Sequence, residues 1–282
     1  MSSTKDRIRE TTLRYRHSLG QHFIYDDDLL DELTRLSGVS RDEDVLEIGP
    51  GSGTLTRHLC GAAGNVLAVE LDERMIPLLR AFMADAPNLT VINDDIMTAD
   101  LNAVTEKLRR PFAVVANIPY YITTPLITRL LNAGLPISRL ALMVQREVAD
   151  KILSRPGDAA WGPLGLTCAY RCEPYLALTV PASAFTPPPK VDSAFVVMPV
   201  RKGPAVKARS EKDFFSVAGA AFALRRKTMT NSLSAVFRLP HAEAEQWMTE
   251  AGLDPRARGE KLTMEELARL ADIRTEKQEA RT

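Results

Sequence analysis

The sequence predicts an α/β protein in two parts: an open, largely parallel sheet flanked by helices over residues 1–203, then a small all-helical domain over residues 204–282. Three observations predict it. Short runs rich in Val, Ile and Leu alternate with amphipathic stretches through the first half of the chain, a repetition that yields parallel strands joined by right-handed crossovers. The alternation ends near Pro187-Pro188-Pro189, and after Arg201-Lys202-Gly203-Pro204 only helical periodicity remains. A length of 282 residues suits one large domain and one smaller one.

Taken in order, strands are expected at residues 45–48, 66–69, 89–92, 113–116, 140–144, 176–180 and 194–198. Between the first five lie amphipathic stretches such as 55–59, 74–84 and 125–131, where apolar residues recur at helical spacing. The second part reads as helices at 212–223, 227–237, 242–251 and 264–271, with no internal repeat and no low-complexity tract.

Thirty-six basic side chains balance thirty-six acidic ones, so net charge alone points to no polyanionic partner and local clusters must carry that argument. No apolar run approaches the length of a membrane span. Residues 1–16 mix Lys5, Arg7, Arg9, Arg14 and Arg16 with Asp6 and Glu10 and lack the apolar centre of a secretory signal. A cytoplasmic protein with no membrane partner is expected, residues 1–18 forming a basic arm. Cys60, Cys168 and Cys172 form no CxxC pair, and none of the four histidines completes a metal-ligand spacing. Buried thiols, no disulfide and no metal are expected.

The stretch VLEIGPGSGTLTRHL joins the first strand to a helix with glycines at 49, 51 and 53. Glycines there let the backbone turn sharply and approach a ligand where a Cβ would collide. A dinucleotide fingerprint would place its third glycine at position 54, which is Thr54, so the pattern is instead E-x-G-x-G-x-G from Glu47. Glu70 closes the second strand about 20 residues after Gly49, where a carboxylate can take ribose hydroxyls. A third strand runs into INDDI, where Asp95 is placed to accept from an adenine amine, while Asp94 reads equally as a loop or cap residue. The pattern resembles the S-adenosylmethionine-dependent methyltransferases of the seven-stranded Rossmann-like class.

The apolar run 112–116 ends in NIPYY, residues 117–121. A strand end is a costly place for an amide and two phenols unless something binds there. An exocyclic adenine amine is a poor nucleophile because its lone pair is delocalised into the ring. Two acceptors that take both of its hydrogens, here the side-chain oxygen of Asn117 and the carbonyl of Ile118, would return that lone pair to nitrogen. Pro119 would fix the turn, and Tyr120 would stack on the base, worth roughly 1–3 kcal/mol. NIPY fits the (N/D/S)-P-P-(Y/F/W) signature of amino methyltransferases, with Ile118 in place of the first proline. No cysteine follows a proline, which argues against cytosine C5 chemistry.

With these motifs placed, the chain resembles the small-subunit ribosomal RNA adenine N6,N6-dimethyltransferase family nearly end to end. The resemblance rests on LGQHF at 19–23, NIPYYITTPL, QREVADKI, SAFTPPPKVDSAFVVM and AFALRRKTMTNSL. It implies that His22 and Ile24 line the cofactor pocket beside Gly49, Gly51, Glu70, Asp95 and Asn117, with His22 standing where the family has asparagine. It implies that Phe185 sandwiches the target adenine against Tyr120, with plain core packing the alternative reading. It implies RNA contacts from Lys190, Arg225, Arg226 and Lys227, a triplet that blind reading would leave as solvated surface. It further implies S-adenosyl-L-methionine as cofactor and, as substrate, two adjacent adenosines in the 3′-terminal hairpin loop of small-subunit rRNA, within a 30S precursor met by a monomer. The alternatives are a large-subunit rRNA adenine methyltransferase of the macrolide-resistance type and a non-catalytic assembly or transcription factor on the same fold.

Overall fold

The computed structural model describes residues 22–224 and 226–280. The basic arm, the start of LGQHF and Arg225 therefore lie outside the described residues. By its internal contacts the chain forms two compact units, Met1–Ala149 with Cys172–Val200, and Asp150–Arg171 with Arg201–Thr282. The second boundary falls close to the expected one. The assignment of residues 150–171 is a correction: Trp161, Leu166 and Tyr170 join the apolar core that holds Phe214, Val217 and Leu233. Burial of those aromatics, not position along the chain, decides their unit.

The first unit carries strands β1 (Phe23–Ile24), β2 (Val45–Ile48), β3 (Val66–Glu70), β4 (Leu89–Asn93), β5 (Phe112–Asn117), β6 (Ile137–Gln145), β7 (Tyr175–Val180), β8 (Phe185–Thr186) and β9 (Ser193–Pro199). Its helices are α1 (Asp27–Ser37), α2 (Thr54–Ala62), α3 (Met75–Phe82), α4 (Leu101–Thr105) and α5 (Thr123–Asn132), and α6 (Arg146–Leu153) runs across the division. Seven strands form one sheet in the order β4-β3-β2-β5-β6-β9-β7, and β1 pairs with β8 separately. Pairing is parallel from β4 through β6, and β9 runs antiparallel to both β6 and β7.

The central strands are apolar almost throughout because helices cover both faces of a parallel sheet. β2 and β3 are buried at every position, whereas edge strand β4 is only partly covered. Strand order reverses between β2 and β5, and in open α/β sheets that switch point opens a crevice at the carboxyl ends of the strands. Register brings those ends level: Ile48 stands beside Val69, Glu70 beside Asn93, and Glu47 beside Val115.

The second unit is helical: α7 (Pro163–Arg171), α8 (Glu211–Ala223), α9 (Met229–Phe237), α10 (His241–Glu250) and α11 (Met264–Glu279). Side chains of Ser210, Thr228 and Thr263 cap α8, α9 and α11, the last in a reciprocal capping box with Glu266. Gly259 lets its loop press on α8, since an added Cβ would sit 2.4 Å from the Ala221 carbonyl oxygen.

Candidate active site

A cavity of about 320 Å³ opens at the carboxyl ends of β2, β3, β4 and β5, within the size range of small-molecule sites. Gly49, Gly51, Glu70 and Asp95 line it, as do Asn117 to Tyr120, and His22 and Ile24 complete that wall. Ten of the residues singled out by sequence thus meet in one place.

The glycine turn fits a ligand cradle. Gly49, Gly51 and Gly53 all take the left-handed backbone, with φ of +67°, +55° and +84°. A Cβ added at Gly51 would stand 2.6 Å from Phe23 Cε1, so the turn has no room for a side chain there. Glu70 braces this turn from the next strand: Oε2 accepts from the Gly51 N–H at 2.9 Å, and Oε1 accepts from the Asp72 N–H at 2.8 Å. Each oxygen keeps a second lone pair for a ligand hydroxyl. Burial is the largest influence on Glu70 and raises its pKa, partly offset by those two N–H donors. Asp95, at the end of β4, accepts through Oδ1 from the Met97 N–H at 2.8 Å.

Asn117 ends β5, and its Nδ2 donates to the backbone carbonyl of His22 at 2.8 Å. That bond fixes which way the amide points, because the nitrogen is engaged and the side-chain oxygen is the remaining polar atom. Tyr120 is held by a 2.7 Å hydrogen bond between its hydroxyl and Ser193 Oγ. Burial chiefly raises its pKa, which keeps the phenol neutral.

Phe185 is a correction. It is 2% exposed, pairs with Ile24 in the short β1–β8 ladder, and belongs to the apolar core that also holds Leu30, Leu33 and Phe195; those three reach the cavity, and Phe185 is not among the residues that line it. Burying a phenyl ring stabilises by roughly 1.5–3 kcal/mol, and core packing is the reading the structure supports. The ring stacked with Tyr120 is His22, with centroids 5.3 Å apart. His22 is anchored by Nδ1, which donates to the Pro187 carbonyl at 2.7 Å. Tyr121 borders the cavity but is 56% exposed, a rim residue rather than an inner wall. Ser193 and Pro187, which hold Tyr120 and His22, both fall within the SAFTPPPKVDSAFVVM stretch, but nothing in its pattern assigns either a role at the site.

Lys190, Arg226 and Lys227 are exposed, the last two in the turn between α8 and α9. Arg209 pairs with Glu276 and Glu279. Among the described residues no group of three or more metal-binding side chains comes together, Cys60, Cys168 and Cys172 are buried and in no disulfide, and no helix is long and apolar enough to cross a membrane.

The chain is similar to proteins named ribosomal RNA small subunit methyltransferase A. It is 38% identical to that of Enterococcus faecalis over 277 residues, covering 96% of this chain and 94% of the relative. It is 40% identical to that of Lachnoclostridium phytofermentans, covering 93% and 92%. Among solved structures, a dimethyladenosine transferase from Plasmodium falciparum shares the fold at a TM-score of 0.72 and 24% identity, covering 88% of this chain and 96% of that one. The 23S rRNA methyltransferase ErmE follows at 0.68 and 29%, covering 89% and 98%. The family model described as ribosomal RNA adenine dimethylase matches residues 12–276, and a seven-stranded Rossmann-like sheet with this glycine turn and strand-end amide belongs with it: the chain is a member of the ribosomal RNA adenine dimethylase family.

Proposed function

We propose that this protein transfers methyl groups from S-adenosylmethionine to the N6 amines of adenosines in small-subunit rRNA, two groups to each of two adjacent adenosines in the 3′-terminal hairpin loop. The observation that carries the reading is the oriented Asn117 amide at the tip of β5, beside a glycine cradle braced by Glu70. The bound cofactor supplies an electrophilic methyl group on a positively charged sulfur. Gly49 and Gly51 admit the ligand backbone-close, Glu70 takes ribose hydroxyls, and Asp95 accepts from the cofactor's adenine.

At the other end of the cavity Asn117 and the Ile118 carbonyl accept from the target amine, which frees its lone pair for attack. Pro119 sets the carbonyl's direction and Tyr120 supports the base. No residue need remove a proton before attack, since the amine sheds it after transfer. Positioning can supply roughly 7–11 kcal/mol of the barrier reduction. A loop adenine suits the site because it is already largely unstacked, a cost of a few kcal/mol otherwise.

Lys190, Arg225, Arg226 and Lys227 are assigned to rRNA phosphates, and the helical unit to docking on a 30S precursor by a monomer in the cytoplasm. Exposure of Lys190, Arg226 and Lys227 supports this. Arg226→Glu with Lys227→Glu should weaken subunit binding and flatten its salt dependence by about one unit per lost phosphate contact; unchanged affinity and slope in a filter-binding series would remove the turn from the interface.

The likeness to ErmE keeps a large-subunit substrate as the second reading, but identity to the small-subunit relatives is higher, at 38–40%. Primer extension on unmodified 30S and 50S particles incubated with protein and donor decides between them. The expected stop lies in small-subunit rRNA, and a stop confined to the large subunit would overturn the assignment.

A further inference from the structure

A fully covered strand is a costly place for a carboxyl group, and Glu47 stands in one, next to the last residue of β2. It is 1% exposed, its side chain borders the cavity, and its Oε2 has no hydrogen-bond partner. Thr56 Oγ1, from α2, is the one neighbouring polar side chain that favours the charged form of Glu47, and it too lacks a hydrogen bond of ordinary geometry. The charge that acts on Glu47 is that of Glu70 from β3, and Glu47 acts in turn on the Cys60 thiol from α2; neither is a cation. Elsewhere the cavity wall carries Asp94, Asp95, His22, Tyr120 and Tyr121, and no Lys or Arg among the described residues. Four carboxyl groups without a basic side chain make a site for positive ligand charge.

Burial, partly offset by the Thr56 hydroxyl and reinforced by the charge of Glu70, pushes the Glu47 pKa up to about 8. Burial and then Glu47 push the Cys60 thiol up to about 12. In the free protein near neutral pH, Glu47 is therefore mostly a neutral acid, the form in which a buried carboxyl without a counter-ion is tolerated. A cation brought beside it favours the ionised form.

We propose, on the reading that this cavity takes S-adenosylmethionine, that Glu47 is the counter-charge for the methyl donor and passes its proton to solvent as the donor's positive charge enters. The carboxylic acid becomes a carboxylate, the proton goes to buffer, and no bond to the donor forms or breaks. Two positive charges are available on the donor, the sulfonium and the α-ammonium. Only the ammonium survives in the demethylated product, S-adenosylhomocysteine. If the sulfonium is the charge Glu47 answers, methyl transfer removes it, Glu47 takes a proton back, and product is released in preference to donor.

The sign of the pH dependence follows by linkage. Glu47 has a raised pKa in the free protein and a lower one in the complex, so donor affinity rises with pH by at most about tenfold per unit and levels off above about pH 8. Isothermal calorimetry of the full chain at pH 7, in buffers of different ionisation enthalpy, measures the proton directly. Donor binding is expected to release a large fraction of one proton, falling towards zero above pH 9 in the same wild-type protein. Release with the donor alone identifies the sulfonium as the sensed charge, and equal release with S-adenosylhomocysteine identifies the ammonium. Glu47→Gln should abolish release in both cases while still binding. Donor binding without proton release, or release that persists in Glu47→Gln, would overturn the proposal. No binding of either ligand would instead defeat the cofactor reading, and the proposal with it.

Discussion

Asp44 immediately precedes β2 and Glu47 lies near its carboxyl end, both almost without solvent contact at 0% and 1% exposure, and they meet burial in opposite ways. Asp44 enters β2 from the amino end and is saturated: it accepts from the Arg109 N–H, Nε and Nη2, and from the backbone and side chain of Asn65. Burial alone would raise its pKa, but the Arg109 and Asn65 donors hold it below the usual carboxylate range. Glu47, at the carboxyl end, keeps an unpartnered oxygen and a pKa raised to about 8. A fold can satisfy a buried carboxylate when stability is all that is asked of it. Leaving one unsatisfied at the opposite end, where Asn117 and the glycine cradle also converge, marks that end as the place where a ligand completes the bonding.

Breaking each end should therefore damage different properties. The largest effect is expected from Asn117→Ala, which should cut methylation by on the order of 10²–10³-fold, by analogy with the loss of one preorganised polar group, while donor binding by calorimetry stays within a few-fold. Unchanged turnover would remove the amine-acceptor role. Next comes Asp44→Ala, which should destabilise by about 1–3 kcal/mol for each buried N–H left without an acceptor, read as a lower midpoint in urea. Donor affinity of the folded protein should not move.

Glu47→Leu should do the reverse, matching or exceeding wild-type stability by up to about 1–3 kcal/mol, because it removes an unsatisfied polar atom, and weakening donor binding. The smallest expected effect is in the pH profile of stability. Glu47 has a raised folded pKa, so its contribution is fully present below its unfolded value and is lost as pH rises through about 8. Asp44 has a lowered one, so its contribution is present above the unfolded value and is lost as pH falls through the folded value. Urea midpoints of Glu47→Gln should therefore fall less than wild type between pH 6 and 9, and those of Asp44→Asn less than wild type in acid. Curves parallel to wild type would dissolve the contrast.

The strands were legible because each central one is a short apolar run bounded by turn residues: observed β2 matches residues 45–48, and β3 adds only Glu70. The site was legible for the same reason, since its residues sit at strand tips that periodicity already locates. What escaped depends on contacts distant in sequence. α1 was passed over, although Asp26 caps it and Gly38 ends it with φ of +69°. α11 runs to Glu279 rather than 271 because Arg274 and Thr275 reach Asp213 on α8, bonds that no apolar periodicity signals. Phe185 was drawn to the site by a motif, but its ladder with Ile24 turns it into the core. Residues 150–171 were assigned by adjacency, whereas Trp161 and Tyr170 belong with the helices.

The hydrogen bond from Asn117 to position 22 uses the main-chain oxygen of that residue, not its side chain. The Asn117 amide is thus aimed by a group every amino acid possesses. Substitution at position 22 can alter the side chain presented to the cavity while leaving the aim intact, so a histidine can stand there without disarming the strand tip. Variation there is expected to tune what enters the cavity, and disruption of the β1 backbone, not of the imidazole, is what would disable it.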